Sequence, residues 1–512
     1  SNIGSEHLIG LAGAGASSGM AMAHWEIQGW MILILGWVFV PFYTRSMVYT
    51  MPEFLERRYN PQSRTILSVI SLVSYVLTKV AVTVYAGGLV FQQVFGIKEL
   101  WGIDFFWIAA IGLVVLTALY TIFGGMKSVL YTSVLQTPIL LLGSLIILVL
   151  GFKELGGWDE MMRVCGAVTV NNYGDTMTNL IRSNDDANFP WLGALIGSAI
   201  IGFWYWCTDQ FIVQRVLSGK NEMEARRGTI FGAYLKLLPV FLFLIPGMIA
   251  FALHQKYIGA GGEGFLPMLA NGTANADAAF PTLVAKLLPA GVKGLVVCGI
   301  LAALMSSLAS LFNSSAMLFT IDFYKRFRPE TPEKKLVGIG QVATVVIVIL
   351  GILWIPIMRS VGDVLYTYLQ DVQSVLAPGI AAAFLLGICW KRTSAQGGMW
   401  GLIAGMVIGL TRLGAKVYYS NAGEVADSTF KYLFYDMNWL FFCGWMFLFC
   451  IIVVIVVSLA TKAPTAEKIQ GLVFGTATKE QKAATRASWN HWDIIHTVII
   501  LAITGAFYWY FW

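Results

Sequence analysis

The chain has 512 residues, of which 57% are hydrophobic and only 12% charged, with a net charge of +6. A soluble domain carries roughly 25% charge, so a mean hydropathy of +0.71 reads as a polytopic membrane protein and not a nucleic-acid binder. The six cysteines (Cys165, Cys207, Cys298, Cys389, Cys443, Cys450) show no C-x-x-C spacing, and only Cys165 falls in an expected external loop, which excludes a disulfide framework.

A membrane helix needs about 20 largely apolar residues. In chain order the predicted spans are 1–19, 21–43, 63–95, 104–123, 127–152, 190–216, 228–254, 288–324, 336–358, 362–389, 397–418, 437–461 and 491–511. The first is short and opens on the polar run Ser1-Asn2-Ile3-Gly4-Ser5-Glu6-His7. Such a half-helix is expected where a discontinuous membrane helix unwinds at a binding site, and residues upstream of Ser1 are expected to complete it. The spans 63–95 and 288–324 exceed what a perpendicular helix needs and should tilt, bend or project. Lys and Arg gather in alternate short connections, such as Arg45/Arg57/Arg58/Arg64, Arg215/Lys220/Arg226/Arg227 and Lys325/Arg326/Arg328/Lys334/Lys335, and this places those connections in the cytoplasm. The longer connections 153–189 and 255–287 hold Glu154, Asp159, Asp185, Asp186, Glu263 and Asp277 and are external. The stretch 462–490 reads as a polar linker.

Several polar groups lie deep in these spans: His24 and Glu26, Lys79, the run Tyr205-Trp206-Cys207-Thr208-Asp209-Gln210, Lys236, and Gln370, Asp371 and Gln373. Ionisable groups at membrane depth cost a few kcal/mol and face polar cavities or one another. Any one of them could be an interhelical pair that only locks the bundle; together they call for a shared aqueous cavity. Amides, carboxylates and Lys suit ring hydroxyls, and aromatic faces such as Trp206 and Tyr205 suit the C–H side of a sugar. The span 288–324 adds a stripe at Ala303, Ser306, Ser307, Ser310 and Ser314, whose spacing shares one helical face. Small residues permit close helix packing, and the same hydroxyls suit a hard monovalent cation. The residues alone therefore read as a cation-coupled transporter of a small polar solute. No H-E-x-x-H, P-loop or G-x-S-x-G in a strand–turn–helix setting points to an enzyme.

The stretches SNIGSEHLIGLAGAGASSGMA, GWVFVPFYTRSMVYTMPEFLERRY, FWYWCTDQFIVQRVLSGKN, ILAALMSSLASLFNSSAMLFTIDFYK and LAPGIAAAFLLGICWKR resemble the sodium/glucose cotransporter family of sodium:solute symporters, and the first two its sugar and inositol branch. The resemblance covers almost the whole chain. It implies an all-α membrane protein with a LeuT-type five-plus-five inverted repeat and extra flanking helices, in one polytopic domain. The first repeat would run over 1–152, incomplete at its start, the second over 190–389, and the extra helices over 390–512. It implies sodium ligation by the carbonyls of Ile3 and Ala303 and the hydroxyls of Ser306 and Ser307. Sugar contacts are implied at Asn2, His7, Glu26, Trp206, Lys236 and Gln370, with Tyr205 as an inner lid.

Some bacterial members of the family carry Gln where His7 stands and Asn where Gly202 stands. Some hold a second sodium on an Asp where this chain has Ser133, with a further serine where it has Ala309; both departures imply one sodium per sugar. The function implied is sodium-coupled import of a glucose- or galactose-like monosaccharide by alternating access, in a multi-pass protein of the plasma (inner) membrane. Symport of myo-inositol or another polar solute, and a sugar sensor that does not transport, are the alternatives. The partners implied are sodium, the sugar or polyol and the lipid bilayer.

Overall fold

The computed structural model describes residues 4, 6–46, 48, 50–269, 272–361, 365–421 and 426–512, with side chains left aside at 120, 122–130, 132, 133, 135, 136 and 357–361. Eleven stretches among the described residues are long and apolar enough to cross a membrane. In chain order, α1 covers residues 6–18 and α2 residues 23–46, the latter broken by a turn at 27–28. They are followed by α3 (Pro61–Phe95), α4 (Phe105–Leu155), α5 (Trp191–Thr208) and α6 (Gln210–Leu217). Then come α7 (Glu222–Gly259), α8 (Ala290–Phe327), α9 (Glu333–Val361) and α10 (Leu365–Cys389). The last three are α11 (Ala395–Asn421), α12 (Trp439–Ala460) and α13 (His491–Tyr510).

Local sequence sets the ends of these helices. Asn60 accepts from Ser63 N at 2.8 Å with Pro61 in the first turn of α3, and Asn490 and Asp493 close a reciprocal capping box on α13. The separation of α1 from α2 falls at Gly19, whose φ of +67° suits a residue without a Cβ. A Cβ there would lie 2.1 Å from the Met177 carbonyl, which instead accepts from Met20 N at 2.8 Å. The external connection is thereby docked on the break.

Small residues bring α1 against α7. A Cβ on Gly15 would meet Leu244 O at 2.2 Å, and one on Gly247 would meet Ala12 O at 2.0 Å, so the two backbones touch in the manner of small-residue crossings in lipid. Helix α10 is buried along nearly its whole length, whereas α12 and α13 present long rows of exposed Leu, Ile, Val, Phe and Trp to lipid.

The long spans bend as expected, through wide π-type turns at Tyr75–Val80 in α3 and Leu318–Tyr324 in α8. Similar turns interrupt α1 (Glu6–Leu11), α5 (Phe203–Thr208) and α7 (Val240–Leu244). Turns of this kind free backbone groups and gather at functional sites.

Three expectations differ from the structure. The predicted span 190–216 is cut at Asp209, whose backbone is extended, into α5 and α6. The predicted spans 104–123 and 127–152 form a single helix, α4; the intervening Gly124 and Gly125 each cost about 1 kcal/mol in a helix, but no proline breaks the chain there. Its apolar parts are Phe105–Leu119 and Thr137–Leu155. The linker 462–490 carries a short helix, Lys479–Ala487, started by a Thr478/Gln481 capping box. It is tied to the bundle by Phe474 N donating to Ile388 O at 2.8 Å.

Candidate functional site

The interrupted turns of α1, α3 and α5 meet α2, α7 and α10 around a partly open pocket with a free volume of about 50 Å³. Its wall brings together five of the residues implied for sugar: His7, Tyr205, Trp206, Lys236 and Gln370. Gln370 Oε1 is buried with no hydrogen-bond partner among the described residues. The Tyr205 and Trp206 rings stand edge to face at 5.2 Å and 85°. Asn2 lies outside the described residues.

Glu26 stands one layer behind the wall. Its carboxylate is fully buried and accepts from Lys236 Nζ at 2.6 Å and from the Tyr366 hydroxyl, with His7 Nε2 at 3.3 Å. One anion thus orients three groups that border the cavity. The Lys236 ammonium also lies 5.5 Å from the Trp206 ring centroid, which holds a cation and an aromatic face side by side.

The floor is closed by an ion pair. Lys79 Nζ donates to Asp209 Oδ2 at 2.5 Å, and the Tyr75 hydroxyl donates to Asp209 Oδ1 at 2.6 Å. Asp209 also caps α6, accepting from Phe211 N at 3.2 Å. The Tyr205 and Phe211 rings flank the ammonium at 4.8 and 3.9 Å. The interhelical pairing entertained from sequence therefore holds for Lys79 with Asp209, and equally for Asp371. Asp371 is absent from the cavity wall and pairs with Lys416 of α11.

The hydroxyl stripe of α8 divides in two. Ser310 Oγ donates to Ser306 O and Ser314 Oγ to Ser310 O, each at 2.9 Å. Arg215 and Gln214 of α6 donate to the same two hydroxyls. These two serines knit helices together. Ser307 Oγ is buried with no partner among the described residues, and Ala303 and Ser306 are buried beside it on α8. A Cβ built on Gly4 would lie 2.3 Å from Ser307 Oγ and 2.8 Å from Glu6 Oε2, so the start of α1 runs close over this hydroxyl. Ile3 lies outside the described residues.

Sequence reasoning missed several wall residues: Glu6, Trp25, Gln28, Thr78, Tyr366 and Leu369. A periodic signal was available for some. Tyr366, Leu369, Gln370 and Gln373 are spaced as one face of α10. Which face turns inward is a tertiary fact.

A model of the sodium:solute symporter family matches residues 1–405. The chain is 36% identical over 489 residues to the sodium/myo-inositol cotransporter 2 of Homo sapiens, covering 93% of this chain and 71% of that protein. It is 38% identical over 480 residues to the sodium/glucose cotransporter 1 of Ovis aries, covering 90% and 71%. The solved structure of a Na+-coupled sialic acid symporter in a substrate-bound outward-open state superposes with a TM-score of 0.67 at 21% identity, over 91% of this chain and 88% of that one; that likeness shows the LeuT-type fold. Family match, helix content and fold agree, and this multi-pass membrane protein belongs to the sodium:solute symporter family.

Proposed function

We propose that this protein imports a neutral monosaccharide of the glucose or galactose kind across the plasma membrane by sodium-coupled symport. The observation that carries this reading is the pairing of two unsatisfied polar sites beside α1. Gln370 Oε1 belongs to a cavity walled by amides, two lysines and aromatic rings, and Ser307 Oγ lies buried under Gly4. Buried polar atoms without partners are costly, and a polyol and a sodium ion would satisfy one each. The sequence identity to a sodium/glucose cotransporter supports the sugar. Identity to a sodium/myo-inositol cotransporter makes myo-inositol the second reading.

In this reading His7, Trp206, Lys236 and Gln370 hold the substrate, Asn2 is a further contact implied by the resemblance alone, and Glu26 presents Lys236 and His7 from behind. Tyr205 and the Lys79–Asp209 pair close the inner side. Sodium is the coupling cargo, held by Ser306 and Ser307 with the carbonyls of Ala303 and Ile3. Residues 1–152 and 190–389 would be the two repeats that rock against each other. Sodium against α8 would hold the start of α1 in place and so pre-form the sugar wall, a positive coupling of two ligands. Nothing in this arrangement requires bond chemistry, and the reading is of a transporter and not an enzyme.

The test is uptake of radiolabelled D-glucose, D-galactose and myo-inositol into proteoliposomes, with an inward sodium gradient and with potassium in its place. Sodium-dependent accumulation of one of them supports the reading and names the substrate. Binding without accumulation would mark a sensor, and no response to any of the three would overturn the assignment to sugars and inositol.

A further inference from the structure

Gln28 and Gly202 face each other across one edge of the cavity, and both belong to its wall. Gln28 is 3% exposed, and its Nε2 donates to the Ser198 carbonyl at 2.8 Å. Only the NH2 end of an amide can face a carbonyl, so this bond fixes which way the carboxamide points. The oxygen end is thereby turned toward position 202. A Cβ built on Gly202 would lie 2.5 Å from Gln28 Oε1, 3.0 Å from Cδ and 3.1 Å from Nε2. The amide thus occupies the volume that any side chain at 202 would need. The tether between α2 and α5 uses only the Nε2 end, and it leaves the oxygen as an acceptor at the edge of the cavity.

We propose that the Gln28 carboxamide oxygen, in the space that Gly202 leaves free, is a substrate contact, so that Gln28 and Gly202 form a specificity-determining pair for one hydroxyl of the sugar or polyol. The proposal rests on the central cavity being the substrate site. Gly202 is the permissive half, since any Cβ there displaces the amide. Gln28 is the reading half. A site built to bind a hydroxyl rejects an analogue lacking it, because its own polar atom is left unpaired.

The experiment measures sodium-driven uptake by the wild-type protein, Gln28→Met and Gly202→Ala. The probes are D-glucose, D-galactose, myo-inositol and the monodeoxy derivatives of the transported sugar. Gln28→Met keeps the length of the side chain without the amide. It should raise the KM of the parent sugar by about five- to tenfold and leave half-saturating sodium unchanged. For a single deoxy derivative, the one lacking the hydroxyl that Gln28 contacts, wild type and Gln28→Met should have equal KM. Gly202→Ala should reproduce this pattern with Gln28 intact. Gln28→Asn, whose shorter side chain withdraws from position 202, replaces Gln28→Met if that variant does not fold.

A rise in KM that is uniform over every derivative would overturn the proposal and leave Gln28 as a tether. An unchanged KM in both single variants would overturn it as well. If the wild-type protein accumulates none of the three substrates, the assignment of the cavity fails instead, and that result is separate from either outcome for Gln28.

Discussion

Lys236 Nζ and Glu26 Oε2 stand 2.6 Å apart with both side chains buried, on α7 and α2. Their pairing fixes an ammonium against the Trp206 face and the edge of the cavity. Removing one partner of a buried ion pair leaves an uncompensated charge and costs about 3–5 kcal/mol. Glu26→Gln should therefore lower thermal stability in detergent and abolish uptake, whereas Glu26→Asp should keep the charge and retain part of both. Uptake at the wild-type rate by Glu26→Gln would mean that the pair does not organise the wall.

Ser307 offers a cleaner separation of the two ligands. Its hydroxyl has no partner among the described residues, so Ser307→Ala loses little in the empty protein. The substitution should raise half-saturating sodium about tenfold, equivalent to ~1.4 kcal/mol of lost ligation, with thermal stability unchanged. Gly4→Ala should be more severe, because its Cβ would enter the same space 2.3 Å from Ser307 Oγ. Sodium titration of uptake at saturating sugar checks both.

These two sites show what could be read from the chain and what could not. The hydroxyl stripe of α8 is a matter of spacing, so Ser306 and Ser307 were legible as candidates together with Ser310 and Ser314. Only the packing of α6 separates them, since Arg215 and Gln214 claim the lower pair. Likewise Glu26 was legible as a buried carboxylate with a task, but its place behind the wall depends on Lys236, which lies 210 residues away. Gln28 carried no mark in the sequence: its role follows from the absence of a side chain at position 202, which lies on another helix. The merger of two spans into α4 escaped notice because a Gly-Gly pair inside an apolar run reads equally as a turn or as a tolerated cost.

At the cavity floor, Lys79 and Asp209 join α3 to the junction of α5 and α6. In the proposed alternating access this contact opens toward the cytoplasm. Asp209→Asn should weaken it and increase cytoplasmic access to the cavity in the absence of sugar. A cysteine placed at the wall residue Leu369 should then label several-fold faster from the inner side, and a rate unchanged from the Asp209 parent would remove the pair from the gate.

Asp277, in the external connection, is buried against α1, where Gly13 leaves room for its carboxylate. It accepts from Leu365 N, at the start of α10, at 3.2 and 3.3 Å. Burial pushes its pKa from 3.8 up to about 7, with the Leu365 N–H opposing. Because the closed contact raises the pKa, it favours the protonated acid. Its stabilisation is complete below about pH 4 and is lost as pH rises through about 7. External labelling of the Leu369 cysteine should accordingly be faster at about pH 8 than at about pH 6, and Asp277→Asn should flatten that dependence. A pH dependence that survives the substitution would assign it to another group.

The number of sodium ions follows from how far uptake can go. The resemblance implies a serine for a second sodium where α8 has Ala309, fully buried, and an aspartate where the chain has Ser133. With one sodium per sugar, a potential of 100 mV contributes about 2.3 kcal/mol and a tenfold sodium gradient about 1.4 kcal/mol. Their sum supports an accumulation of several hundredfold, since each tenfold step in sugar costs about 1.4 kcal/mol. Two ions would double the driving energy and square that ratio. Reversal potentials measured at several sugar gradients in proteoliposomes should therefore give a charge-to-sugar ratio of one, and a ratio of two would require a cation site beyond Ser306 and Ser307.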